Sequence, residues 1–137
     1  METKVRLAII SRMTDPDGDV HEIKNARRGT LVRTAQGVKI DFDDEQDGER
    51  AHIELTCEGK NARMRRMGMT SAALSFVPGE RTSGAYVTPY GEIPVAVSTS
   101  DVTLSDEGVG GMLELVYDVY MGGERTSGTR YQIRWRA

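Results

Sequence analysis

Apolar residues recur at every second position in five separate stretches of this chain. Val5, Leu7 and Ile9 share a face opposite Arg6, Ala8 and Ile10, and Val38, Ile40 and Phe42 alternate with Lys39, Asp41 and Asp43. Ile53, Leu55 and Cys57 alternate with His52, Glu54 and Thr56. The longest run sets Leu113, Leu115, Tyr117, Val119 and Met121 against Met112, Glu114, Val116, Asp118 and Tyr120. The last sets Tyr131, Ile133 and Trp135 against Gln132, Arg134 and Arg136. Successive side chains of an extended strand point to opposite faces, so this period predicts strands with one face in a core and the other in water. One-sided strands of this kind belong to antiparallel sheets.

The intervals between them carry turn chemistry. "DPDG" at Asp15–Gly18 supplies a proline-fixed φ and a glycine that tolerates positive φ, and "AQG", "DGE", "EGKN", "PGE" and "GG" are further hairpin candidates. Short strands joined by hairpins predict one all-β domain, an up-and-down barrel or a sandwich. Closure is favoured because it removes exposed strand edges. The segment Lys60–Met69 contains good helix formers, with Met64 and Met67 three apart. Gly59 and Gly68 restrict it to about two turns, too short for a helix to persist unaided, and it is read as a strand.

At 137 residues the chain fits a single domain with one core, spanning residues 1–137. The single cysteine, Cys57, has no partner for an internal disulfide, which points to a reducing compartment. With no leader-like or membrane-spanning apolar run, the expected location is the cytoplasm. The net charge of −3 and an aromatic content of 6% argue against nucleic acid as a partner, and no membrane partner is expected. Acids gather in turn-like places such as Asp15–Asp19, Asp41–Glu49 and Ser105–Gly108, whereas many of the basic residues, mostly arginines, sit inside apolar-alternating segments. Basic strand faces with acidic hairpin tips account for that pattern.

Candidate chemistry narrows quickly. Asp15, Asp17 and Asp19 have the spacing that opens a calcium-binding EF-hand loop, but its glycine position is Val20 and its final glutamate position is Ala26. An acidic hairpin turn is the better reading. Zinc has only His21, His52 and Cys57 as strong ligands, and His52 and Cys57 point to opposite faces of a regular strand. No metal or cofactor is therefore expected. Neither histidine has a serine or cysteine partner in sequence, and Cys57 falls on an apolar face. Arg63 and Arg65 share one face and Arg66 takes the other. An inward Arg66 requires an internal carboxylate or an anionic ligand, because its charge cannot be removed. In "YVTPYG", Tyr86, Thr88 and Tyr90 share one face of an extended strand, and Pro89 marks a bulge or strand end.

Taken in order, "VKIDFDDE", the Arg66–x–Gly68 pair, "LSFVPG", "YVTPYG", "VSTS" and "LELVYDVYMGG" resemble the YwiB family of bacterial proteins over nearly the whole chain. The resemblance implies a lipocalin-like (calycin) antiparallel barrel of about eight to ten strands. It implies no activity. The leading expectation is a non-enzymatic barrel that binds a small anionic or amphipathic molecule near Arg66, Tyr86, Thr88 and Tyr90, with Arg66 pairing the anion and the hydroxyls orienting it. The alternative is an interaction or structural module, including a homodimer, with its barrel filled by side chains. Third comes an enzyme acting at the barrel mouth, for which the sequence offers no catalytic pair.

One repeat remains: "GERTSG" stands at Gly79–Gly84 and again at Gly123–Gly128. Tyr86 follows its copy by two residues and Tyr131 follows the other by three, so regular strands would place Arg81 and Arg125 on opposite sides of the sheet. A bulge at either copy reverses that parity. The expectation is two hairpin turns of shared composition.

Overall fold

The computed structural model describes residues 2–137, which form ten strands and no helix. They are β1 (Glu2–Thr14), β2 (Val20–Arg33), β3 (Gly37–Gln46), β4 (Glu49–Glu58), β5 (Asn61–Gly68), β6 (Ser71–Phe76), β7 (Arg81–Thr88), β8 (Gly91–Asp106), β9 (Gly110–Met121) and β10 (Glu124–Arg136). Each strand pairs antiparallel with the next, and β1 pairs with β10 from Arg6↔Arg136 to Thr14↔Gly128, closing the barrel. The up-and-down barrel expected from the alternation is the observed fold. Lys60–Met69 contains strand β5, in which tertiary pairing on both sides overrides local helix preference.

Tight turns set the register. At the β3–β4 hairpin Asp47 and Gly48 have φ of 53° and 81°, the left-handed pair that a two-residue turn needs to match strand twist. Residues facing inward then follow from the ladder, because cross-strand partners share a face. Leu31, Ile40, Leu55, Phe76, Leu115 and Ile133 are fully buried and fill the barrel with side chains. Phe76 meets Tyr117 across the interior with ring centroids 4.7 Å apart and planes tilted by 57°. A tilted aromatic pair adds roughly 0.5–1.5 kcal/mol beyond the area it buries. Near the chain termini Trp135 lies over Gly111, where any Cβ would overlap the indole.

Two seams interrupt the wall. Pairing of β2 with β3 runs from Arg33↔Val38 only as far as Gly29↔Phe42, so the Val20–Arg28 part of β2 is laddered to β1 alone. Likewise β6 pairs with β7 only through Ser71–Ala73, leaving Leu74–Phe76 without backbone partners on that side. Side chains bridge both gaps. Thr82 Oγ1 donates to the Ser75 carbonyl at 2.6 Å across the second.

The "GERTSG" copies are more alike than their sequence phase suggests. Gly79 and Gly123 share a positive φ, 81° and 83°. Thr82 donates to the carbonyl of Ser75 and Thr126 to that of Val119, each bond reaching back seven residues. The expectation that Arg81 and Arg125 face opposite sides is corrected. A register shift between Arg125 and Ser127 inserts the extra residue that restores parity. Arg81 now stacks on the Tyr120 ring, 3.9 Å from its centroid, and Arg125 is the cross-strand partner of the same tyrosine.

Candidate functional site

Along β3 the inward positions run Val38, Ile40, Phe42 and then Asp44, so a carboxylate takes the next core-facing place as the strand nears its turn. The ladder sets Asp44 beside buried Ala51, and two positions away along the same wall it sets Arg66 beside buried Ile53. Arg27 enters from β2, in register with buried Leu7. These three charges meet at the first seam. Arg27 Nε donates to Asp44 Oδ1 at 3.0 Å, and its Nη2 lies 2.9 Å from the same oxygen. Arg66 Nη1 stands 3.7 Å from Asp44 Oδ2. All three side chains are part-buried. Two guanidiniums therefore share one carboxylate, leaving an unbalanced positive charge at the inner rim.

Phenol groups extend this polar region. Tyr86 shares a lateral row with Arg66 through Ala72. Burial raises the Tyr86 phenol above its ordinary value. Burial does the same more strongly to Tyr117 and Tyr131; Tyr117 also senses Tyr86, and Tyr131 senses Tyr117 and Asp44. All three stay protonated at neutral pH and are O–H donors. Inside a barrel such donors suit an anion or another oxygen acceptor.

Of the residues singled out from sequence, Arg66 and Tyr86 come to this region. Arg66 faces inward opposite Arg63 and Arg65, which are exposed, and its internal carboxylate is Asp44. Thr88 and Tyr90 are elsewhere in function. Thr88 Oγ1 donates to the Gly91 carbonyl at 3.0 Å and accepts from Tyr90 N at 3.2 Å, so its hydroxyl is used by the β7–β8 turn. Tyr90 is 100% exposed. The expected inward row of three hydroxyls ends at Pro89, which turns the chain before the third can enter. Asp15 likewise acts as a turn residue, its Oδ1 accepting from the amides of Asp17 and Asp19.

Sequence reasoning missed Asp44 as the partner of Arg66, Arg27 as its second guanidinium, and the buried phenols Tyr117 and Tyr131. The signal for Asp44 was present: continuing the Val38–Ile40–Phe42 alternation by two residues lands on it. Its setting in an acidic run made it resemble a turn residue. Arg27 has no comparable signal, because its role depends on a seam between strands.

A second polar group lies on the outer wall. His52 Nδ1 is 2.9 Å from Asp43 Oδ1 and its Nε2 is 3.1 Å from Asp41 Oδ1. The Asp43 hydrogen bond, with help from Asp41, holds the imidazolium above its ordinary pKa against the opposing pull of desolvation. Asp41, His52 and Glu54 bring metal-capable atoms within 4.8 Å of one another. Lys39 and Arg65 stand 4.0 Å from Asp41 and 3.8 Å from Glu54, so local cations already oppose these carboxylates. Cys57 is buried, and burial raises its thiol pKa, which disfavours the reactive thiolate. An open groove of about 930 Å³ runs beside the β3–β4 hairpin, bordered by Arg27, Asp43, Glu45, Asp47 and Arg50.

Fold and rim together define a closed ten-stranded antiparallel barrel with an apolar, side-chain-filled body and a charged, tyrosine-rich inner rim. The chain belongs to the family described as the domain of unknown function DUF1934, whose model matches residues 8–133. It is similar in structure to the crystal structure of the ywiB protein from Bacillus subtilis, with a TM-score of 0.88 at 21% identity, over 99% of this chain and 92% of that one. That likeness extends to the fold. No curated protein matches the chain.

Proposed function

We propose that the protein is a non-catalytic binder of a small anionic molecule, held at the inner rim by Arg66 with Arg27 and Tyr86 beside it. The observation that carries this reading is the sharing of Asp44 by Arg27 and Arg66. A part-buried guanidinium with only a 3.7 Å contact to half a carboxylate is under-paired, and an incoming carboxylate or phosphate completes it with bidentate hydrogen bonds. The neutral phenol of Tyr86, in the same lateral row as Arg66, adds a donor without adding repulsion. The filled body of the barrel restricts such a ligand to the rim, so it is small or enters by one end only.

Native mass spectrometry of freshly purified protein tests the proposal, together with titration by the fluorescent sulfonate ANS. A reproducible adduct, or saturable ANS binding, that is lost in Arg66→Ala and weakened in Tyr86→Phe is the expected result. Equal ANS affinity in wild type and Arg66→Ala, with no adduct in either, sinks it.

A further inference from the structure

Beyond the seam at Gly29, the arm Val20–Arg28 of β2 has β1 on one side and, among the described residues, no strand on the other. Arg27 Nη1 donates to the carbonyl of Ala26 at 2.9 Å and so covers the edge nearest the wall. Above it the edge is open for several residues. A strand edge of this kind presents unpaired amides and carbonyls and accepts another strand.

The side chains say which strand fits. Antiparallel pairing of this arm with its own copy about Ile23 sets Ile23 opposite Ile23, Glu22 opposite Lys24, His21 opposite Asn25 and Val20 opposite Ala26. The single central apolar position meets itself, and both charged positions meet their opposites. A two-fold interface requires this reciprocity, since each residue must suit the partner that its own partner occupies. Ile23 and Val20 are 42% and 47% exposed, large values for aliphatic side chains on a strand.

We infer that two copies of this chain associate through the β2 arms, edge to edge and antiparallel, about a two-fold axis at Ile23. Five paired residues, His21–Asn25, span about 17 Å, because Arg27 already occupies the Ala26 carbonyl. An interface of that length is at the small end of specific association, so the dimer is weak and concentration-dependent. It is independent of the anion reading, because Arg66 lies inside the barrel.

Sedimentation equilibrium of the full chain, from micromolar to submillimolar concentration, tests the inference. Wild type is expected to show a reversible monomer–dimer equilibrium. Lys24→Glu and Glu22→Lys each place like charges across the axis and should weaken dimerisation by roughly tenfold, while the double exchange restores it. Both side chains are exposed and joined within one chain only by a 3.4 Å surface pair, so circular dichroism should find all variants folded. Ile23→Asp, which sets two carboxylates against each other, should abolish the dimer, and Arg66→Ala should leave it unchanged. A wild type that stays monomeric throughout overturns the proposal. So does a dimer in which the double exchange is no better than either single change.

Discussion

Arg27 grips Asp44 across the seam where β2 and β3 separate, with Nε and Nη2 at 3.0 and 2.9 Å from one carboxylate oxygen. The bond stands just past the last backbone pair, Gly29↔Phe42, and Arg27 Nη2 also reaches the Glu45 carbonyl at 3.4 Å. A side chain thus continues the work of the ladder after the ladder has stopped. The same guanidinium borders the inner rim, where Arg66 shares its carboxylate. The side-chain bridge across this seam and the charge of the rim both rest on Asp44.

Removing that carboxylate should therefore do two things. Asp44→Ala strands two part-buried guanidiniums, which costs about 3–5 kcal/mol for a fully buried pair. Solvent reaches these side chains, so a loss of roughly 1–3 kcal/mol is the appropriate expectation. Urea unfolding measures it. The rim also becomes more positive, and Asp44→Ala should bind ANS more tightly than wild type while unfolding more easily. Unchanged stability would show that the seam does not need the pair.

The repeated threonines are structurally matched but not energetically equal. Thr82 spans the seam between β6 and β7, whereas Thr126 bonds within the laddered β9–β10 hairpin. Thr→Val at either position removes a hydroxyl at constant shape and should cost about 0.5–1.5 kcal/mol. Only Thr82→Val should speed hydrogen exchange in Leu74–Phe76, the stretch of β6 without a backbone partner on its β7 side. Equal acceleration by both variants would refute the distinction.

These particulars show where sequence was sufficient. Alternation over Val5–Ile9, Val38–Phe42, Ile53–Cys57, Leu113–Met121 and Tyr131–Trp135 located half of the strands, because a one-sided strand writes its period directly into the chain. Parity also put Arg66 on the face opposite Arg63 and Arg65, but which of the two faces is inward came only from the ladder. The partner of Arg66, Asp44, was obscured because an acid near a hairpin is ordinarily solvated, and only the register shows it one step inside. Arg81 and Arg125 were misplaced because a bulge changes strand parity without a dedicated residue type to announce it. Tyr90 was misplaced by extending a strand through Pro89 to a turn. Seams are illegible in sequence for a further reason. They arise from mismatched strand lengths around the closed wall, which no local pattern encodes.

His52 makes stability fall as pH rises through its titration. Its folded pKa is raised, chiefly by the hydrogen bond to Asp43. Its stabilising contribution is then fully present below the unfolded value of about 6.5 and is lost as pH climbs through the higher folded value. The ring is substantially exposed, so the amount is modest, under about 1 kcal/mol. His52→Gln should erase this component. Urea midpoints of the two proteins should differ most in mildly acidic buffer and converge in mildly alkaline buffer. Parallel pH profiles would sink the assignment.

The buried phenols impose a limit at the alkaline end. Burial raises Tyr86, Tyr117 and Tyr131 in the folded state, while in the unfolded chain each titrates near the ordinary value of about 10. Above that value the unfolded state releases protons that the folded state retains, so stability falls with rising pH. The folded barrel should show little phenolate absorbance from these three residues until it unfolds, and then acquire it in one cooperative step. Tyr131→Phe should shift alkaline unfolding to higher pH, provided the phenyl ring keeps its packing. Tyr90, fully exposed at its hairpin tip, has no burial to relieve, so Tyr90→Phe should leave the unfolding pH unchanged. Should Tyr131→Phe and Tyr90→Phe behave alike, the alkaline limit would have another origin and the phenols of the inner rim would be accessible to hydroxide in the folded protein.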